Sequence, residues 1–128
     1  MVKLLAVGIG GFIGSCLRYA ITKWSGTFLV SFPLGTLLSN VIAGFFIGFI
    51  IGFERQSVRI SSSAKLFLVT GMLGGLSTFS TFSLETIDLF KSGKYLLFVG
   101  NIALNLGLSL LGVISGLILA KIFCKLSF

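Results

Sequence analysis

Three long stretches of this chain carry no charged side chain. Residues 24–53, 66–84 and 95–120 contain no Asp, Glu, Lys or Arg. Each is long enough to cross the hydrocarbon core of a bilayer, which takes about 20 residues in a helix. A fourth apolar segment, near residues 4–21, is interrupted only by Arg18. The pattern predicts an all-α membrane protein with four transmembrane helices.

The composition agrees with that class and excludes a nucleic-acid partner. Only 10% of the 128 residues are charged, against about 25% in soluble domains. The net charge of +7 comes from basic residues at helix ends and in loops, where they anchor membrane helices rather than form one basic face. We predict a single transmembrane domain in the lipid bilayer, over residues 1–128, with helices at about 4–23, 33–53, 65–90 and 95–123.

The stretch 71–83 (GMLGGLSTFSTFS) lies in the third apolar run but is a poor membrane-helix sequence. Gly71, Gly74 and Gly75 fall within five residues, and each glycine disfavours a helix by roughly 1 kcal/mol. We therefore expect the third helix to be broken in the middle of the membrane at Gly74 and Gly75. Unwound backbone at that depth must be buried in protein or line a watery cavity, where its carbonyls and amides are available to ions.

Asn40 places an amide inside the second predicted helix. It continues a seam of small residues, Gly44, Gly48 and Gly52, at four-residue steps, a spacing that lets two helices approach closely. The ordinary role of such an Asn is a hydrogen bond that joins two helices. Its functional role would be to hold an anion through its two N–H donors. Taken alone, the residue favours the ordinary role.

Phe79 and Phe82 share one face if the chain is helical after the break. A phenyl ring has a positive edge, so two such edges, together with the hydroxyls of Ser80 and Thr81, form an environment that an anion tolerates. Glu85 lies on the same face, toward the end of the segment. With 14 Phe in the chain, the alternative for the pair is a core or lipid-facing position.

Two other helices carry polar residues that lipid cannot satisfy. Arg18 lies on the face of the first helix that also holds Gly10 and Gly14, and it either anchors the helix at the interface or attracts an ion. The fourth helix has a polar and small stripe that includes Asn105 and Ser109. That stripe fits a bundle interface or a pore wall.

The basic residues give a weak signal for orientation. Because the number of helices is even, the first helix begins and the fourth helix ends on the same side of the membrane. Lys23, Lys91 and Lys94 fall on the other side, with Arg18 if it reaches that interface. The first side carries the other basic residues, namely Lys3, Arg55, Arg59, Lys65, Lys121 and Lys125. Because a strong asymmetry is needed to fix orientation, we hypothesise that the chain inserts both ways and forms antiparallel pairs.

The residue inventory argues against several classes of protein. The chain has no His and only three acidic residues, Glu54, Glu85 and Asp88. Proton-coupled carriers usually embed a carboxylate or His relay, so a passive pathway fits better. A nucleophile–base pair and a Cys/His metal cluster are also missing from the sequence. We therefore expect no enzyme activity.

Three segments of the sequence, in order, resemble the Fluc (CrcB-type) fluoride channels. They are 10–19 (GGFIGSCLRY), 35–44 (GTLLSNVIAG) and, most specifically, 71–82 (GMLGGLSTFSTF). The resemblance implies a four-helix protein of the bacterial inner membrane that assembles as an antiparallel dual-topology homodimer. It also implies two pores that let fluoride leave the cell passively and a central sodium ion that is structural. The identity of the ion comes from the resemblance, since the residues alone indicate only a polar track that tolerates an anion.

The resemblance also assigns roles to individual residues. The backbone carbonyls of Gly74 and Ser77 would hold the sodium ion. The fluoride pathway would comprise Arg18, Thr36, Asn40, Phe79, Ser80, Thr81, Phe82, Glu85, Asn105 and Ser109.

Two alternatives remain at this stage. A small dual-topology drug or cation exporter would need a carboxylate in the first helix, and residues 4–21 contain none. A non-transporting structural membrane protein would use Asn40 and the hydroxyls only for helix packing.

Overall fold

The protein is described here by a computed structural model that covers residues 1–28, 31–56 and 59–126. All regular structure within these ranges is helical. The elements are α1 (Val2–Ser25), α2 (Leu34–Arg55), α3 (Ser62–Lys65), a π-helical segment (Leu66–Leu73), α4 (Gly74–Leu76), α5 (Phe79–Lys91) and α6 (Tyr95–Leu126).

Four helical spans of the described residues are long and apolar enough to cross a membrane. They are α1, α2, the combined stretch Ser62–Lys91 and α6. The all-helical, four-span part of the sequence prediction is thereby confirmed. The third span differs from the others because it contains the π-helical segment and a short non-helical interruption.

The interruption lies at Ser77 and Thr78 rather than at the glycines. Gly74 and Gly75 are helical, whereas Ser77 (ψ 153°) and Thr78 (φ −152°, ψ 117°) are extended. The sequence prediction was therefore wrong about where the helix unwinds. Gly75 serves close packing instead, since a Cβ there would lie 2.7 Å from the carbonyl oxygen of Gly11 in α1.

A second glycine seam brings α2 and α6 together. A Cβ on Gly112 would lie 3.0 Å from Val41 O, and one on Gly116 would lie 2.7 Å from Phe49 N. The two backbones therefore approach more closely than any larger residue permits. This approach places the polar residue Asn40 of α2 beside Asn105 of α6.

We expect Gly116→Ala to destabilise the protein and Gly100→Ala to leave it as stable or more stable. Both glycines lie in α6, but Gly116 faces the backbone of α2, whereas nothing lies within 4 Å of a Cβ on Gly100. Overpacking of this kind costs about 1–3 kcal/mol, while Ala in place of an unpacked helical Gly gains up to about 1 kcal/mol. Thermal unfolding of the purified variants, followed by loss of the monodisperse elution peak, measures the difference. Equal midpoints would contradict the seam.

Candidate functional site

Asn40 holds the extended residue Thr78 with two hydrogen bonds. Its Oδ1 accepts from Thr78 N (2.7 Å), and its Nδ2 donates to Thr78 O (3.3 Å). The Asn40 amide thus provides partners that a continuous helix would have supplied to this backbone. Thr78 in turn caps α5, since its Oγ1 accepts from Thr81 N (3.2 Å). The side chain of Asn40 therefore fixes the point at which α5 begins.

A chain of amide hydrogen bonds runs from Asn40 across three helices. Asn40 Nδ2 also donates to Asn105 Oδ1 (3.0 Å), and Asn105 Nδ2 donates to Asn101 Oδ1 (2.8 Å). Asn101 Nδ2 donates to Thr86 Oγ1 (2.9 Å), and that hydroxyl donates to Phe82 O (2.6 Å). Asn101 is fully buried. The chain joins α2, α5 and α6 and gives partners to amides that lipid would leave unsatisfied.

A cavity of about 300 Å³, here called the central cavity, opens beside this network. The ring centroids of Phe79 and Phe82 are 5.6 Å apart with the ring planes inclined by 51°. Phe82 is 8% exposed, whereas Phe79 is 74% exposed, so the cavity has one aromatic wall inside the chain and one at its surface. The lining residues are Asn40, Ser77, Thr78, Phe79, Phe82, Asn105, Leu106, Ser109, Leu110 and Val113.

Ser109 contributes a polar atom with no partner among the described residues. Its Oγ is buried and makes no hydrogen bond, and Ser109 lines the central cavity. Leaving a buried hydroxyl unpaired costs roughly 1–3 kcal/mol. The hydroxyl is therefore an unused donor in a residue that borders that cavity.

Thr36 and Glu85 form the next polar contact outside the central cavity. Thr36 Oγ1 donates to Glu85 Oε1 (2.8 Å), and Thr36 is buried. The other carboxylate oxygen, Oε2, is buried without a partner among the described residues. Glu85 also lines a second cavity of about 300 Å³, here called the outer cavity. Its other lining residues are Ser31, Phe32, Pro33, Asp88, Leu89, Ser92 and Lys94.

Ser80 and Thr81 belong to the first turn of α5. Thr78 Oγ1 donates to Thr81 Oγ1 (3.0 Å) and shares a hydrogen bond with Ser80 Oγ (3.3 Å). Neither Ser80 nor Thr81 lines the central or the outer cavity. Their hydroxyls contact the side chain of Thr78, which caps the helix.

The remaining residues expected at the site lie apart from the two cavities or at their edge. Arg18 is half-buried, lines neither cavity and makes no hydrogen bond or ion pair with a described residue. Gly74 is exposed, and Ser77 lines the central cavity. Neither carbonyl receives the N–H that a continuous helix would supply, because Thr78 N donates to Asn40 Oδ1 and Thr81 N donates to Thr78 Oγ1.

Three residues of the network were not assigned to the fluoride pathway from the sequence. Thr78 supplies the backbone that Asn40 binds, while Asn101 and Thr86 extend the chain of donors. Asn101 precedes Asn105 by one helical turn, a spacing visible in the sequence. The role of Thr86 depends on how α5 packs on α6, and the sequence pattern carried no signal for it.

The donors around the central cavity are neutral. They comprise amide N–H groups, hydroxyls and aromatic edges. In the described ranges there is no cluster of three or more His, Cys, Asp or Glu side chains that could bind a metal ion. Neutral donors of the kind that line the central cavity suit weak, multiple contacts with a small anion.

Comparisons with known proteins place the chain in one family. Residues 5–117 match the family model described as CrcB-like protein, Camphor Resistance (CrcB). The chain is 51% identical over 123 residues to a protein of Clostridium novyi named fluoride-specific ion channel FluC, covering 95% of this chain and 96% of that one. A protein of the same name from Aquifex aeolicus is 41% identical over 111 residues, covering 86% and 87% of the two chains. With four helices able to span a membrane, this chain is a multi-pass membrane protein that belongs to the CrcB family.

Proposed function

We propose that the chain is a fluoride-selective passive channel of the bacterial inner membrane that lets fluoride leave the cell and so lowers its cytoplasmic concentration. The observation that carries the proposal is the central cavity, where amide and hydroxyl donors face two phenylalanine rings. The chain that contains this cavity is 51% identical, over 92–95% of its length, to proteins named fluoride-specific ion channels.

The chemistry of the central cavity suits a small, strongly hydrated anion. Removing an ion from water is costly unless other groups replace the hydration shell. The Ser109 hydroxyl, the amide of Asn40 and the edges of Phe79 and Phe82 each replace part of it. Because each contact is weak, the ion is accepted without being trapped, which conduction requires.

Asn40 takes part by exchanging hydrogen-bond partners. Both of its N–H groups donate to protein oxygens, those of Thr78 and Asn105. A fluoride ion in the central cavity competes with Asn105 Oδ1 for one of these donors, and the donor returns to Asn105 when the ion leaves. The helix-joining role and the ion-binding role thus alternate in one side chain.

The pathway continues toward the outer cavity along α2 and α5. Thr36 lies one turn before Asn40, and its hydroxyl donates to Glu85. That hydroxyl becomes the next donor for an outgoing ion by releasing Glu85, as Asn40 releases Asn105. Ser80 and Thr81 complete the polar track from the first turn of α5, and Arg18 raises the local anion concentration through its charge.

The working unit is an antiparallel dual-topology homodimer with two pores. Phe79 lines the central cavity and is 74% exposed in the single chain, and Leu106 and Leu110 of the same lining are 51% and 64% exposed. A second copy would cover Phe79 and complete the aromatic wall. The excess of basic residues on one side of the bundle is only two or three, and this weak asymmetry supports insertion in both orientations.

A structural sodium ion fits the extended backbone at the dimer centre. The carbonyl oxygens of Gly74 and Ser77 lack their helical N–H partners, and such freed carbonyls bind Na⁺ in membrane proteins with interrupted helices. The ion would supply one positive charge beside the carbonyl oxygens of Gly74 and Ser77. Gly74 is exposed and has no close packing against it in the chain, so its backbone is open to a partner.

Ion efflux from liposomes tests the proposed function. Vesicles that contain the purified protein are loaded with potassium fluoride, valinomycin is added to carry the countercharge, and a fluoride electrode records efflux. We expect rapid loss of fluoride and little loss of chloride from matched vesicles loaded with potassium chloride. Retention of fluoride by vesicles that contain the folded dimer would refute the channel.

A further inference from the structure

We propose that a groove between the ends of α2 and α6 binds the headgroup of an anionic phospholipid. The groove has a volume of about 220 Å³ and is lined by Gly52, Arg55, Gln56, Leu117, Ile118 and Lys121. It lies at the opposite end of the bundle from the outer cavity and shares no residue with either cavity of the proposed fluoride pathway. The inference does not depend on fluoride conduction.

The groove is cationic at its rim. Arg55 and Lys121 come from different helices, are exposed and form no ion pair with a described residue. The acidic residue next to Arg55 in sequence, Glu54, is paired with Lys65 at 2.7 Å. Two unneutralised cations therefore face one small space. Basic pockets between membrane helices are sites for anionic lipid headgroups.

The height of the groove matches the lipid phosphates. Lys121 is the first charged residue after the uncharged run 95–120, and Arg55 closely follows the uncharged run 24–53. Both cations therefore sit where each helix leaves the hydrocarbon core. An anion held at that level lies in the headgroup layer of the bilayer.

The shape of the groove selects a lipid over a free anion. Its floor is Gly52, where a Cβ would lie 2.6 Å from Ala120 Cβ, so the helices are in close contact beneath it. Its wall is apolar, from Leu117 and Ile118. A phospholipid satisfies both parts, with its phosphate between the two cations and its glycerol and upper acyl carbons along the wall. Inorganic phosphate satisfies only the rim.

Native mass spectrometry of the full chain in mild detergent tests the proposal. The protein is offered equal amounts of dioleoyl phosphatidylglycerol and dioleoyl phosphatidylcholine, and the bound lipids are counted. We expect preferential retention of phosphatidylglycerol, and about a 25-fold weaker apparent affinity in Arg55→Gln/Lys121→Gln, at roughly fivefold for each basic residue removed. The matched control Lys23→Gln/Lys91→Gln removes two exposed basic residues from the other end of the bundle and should retain the lipid.

Two further measurements distinguish specific lipid binding from binding of a free anion and from a general effect of positive charge. Inorganic phosphate in excess should not displace phosphatidylglycerol, and Ile118→Trp, which fills the apolar wall but keeps both cations, should weaken lipid binding. Elution volume and circular dichroism confirm that the variants are folded. Displacement by phosphate, no effect of Ile118→Trp, equal loss in both double variants or no preference between the two lipids would each overturn the proposal.

Discussion

Replacing Asn40 with aspartate should lower fluoride flux by about a thousand-fold. The variant keeps the Oδ1 that accepts from Thr78 N but loses both donations, to Thr78 O and to Asn105 Oδ1. A carboxylate also repels an anion in the central cavity. Two unit charges about 4 Å apart interact by about 4 kcal/mol at an effective dielectric constant near 20, and that energy corresponds to roughly three powers of ten in rate.

The liposome efflux assay measures this loss, and pH separates its two causes. Acidic medium protonates the new carboxyl group, which removes the charge and restores one donor, so flux should partly recover. Thr27→Asp serves as the control, because it adds the same charge at an exposed position outside the helices and should conduct as the unmodified protein does. Flux of Asn40→Asp within tenfold of the unmodified protein at neutral pH would show that Asn40 does not face the ion.

The four spans could be predicted from the sequence because membrane physics leaves few alternatives. A run of uncharged residues of bilayer length must be helical or form a closed barrel, and the runs 24–53, 66–84 and 95–120 lack the alternation of barrel strands. The seam at Gly44, Gly48 and Gly52 was visible for a similar reason, since small residues at four-residue steps mark one helical face.

The position of the interruption could not be predicted, because glycine has two uses that a sequence does not distinguish. Gly74 and Gly75 weaken a helix, but Gly75 also admits the backbone of α1, and helical packing prevails there. The extended residues are Ser77 and Thr78, which are stabilised by partners outside their own segment. Thr78 depends on Asn40, which lies 38 residues earlier in the chain.

The candidate site was predictable in its residue types but not in its connections. Asn40 was considered either as a helix-joining residue or as an ion ligand. The structure shows its helix-joining bonds to Asn105 and Thr78, and the ion-binding role stays a prediction that rests on exchange of these bonds. Asn101 and Thr86 complete the network through contacts between helices, which periodicity within one helix does not reveal.

Replacing Phe82 with leucine should reduce fluoride flux by roughly ten- to thirty-fold. This factor corresponds to a contribution of about 1.4–2 kcal/mol from the ring edge. Other contacts between ions and desolvated aromatic rings have energies of this size. Phe82 is 8% exposed and lines the central cavity within 5.6 Å of the Phe79 ring. Leucine keeps the side chain apolar but offers no positive ring edge to an anion. If Phe82 only fills the core, the change should instead appear as a stability loss of about 1.5 kcal/mol or less with flux preserved.

Phe90→Leu is the matched control for this second prediction, since it makes the same chemical change on the same helix. Phe90 packs with Tyr95 and Phe98, at ring-centroid distances of 5.6 and 5.3 Å, and lines neither cavity. Efflux from liposomes and the thermal midpoint are measured for both variants. If the two variants have similar thermal midpoints, the proposed pathway requires Phe82→Leu to lose more flux than Phe90→Leu, because only Phe82 presents its ring to the ion. Equal flux in the two variants would remove Phe82 from the pathway and leave it a packing residue.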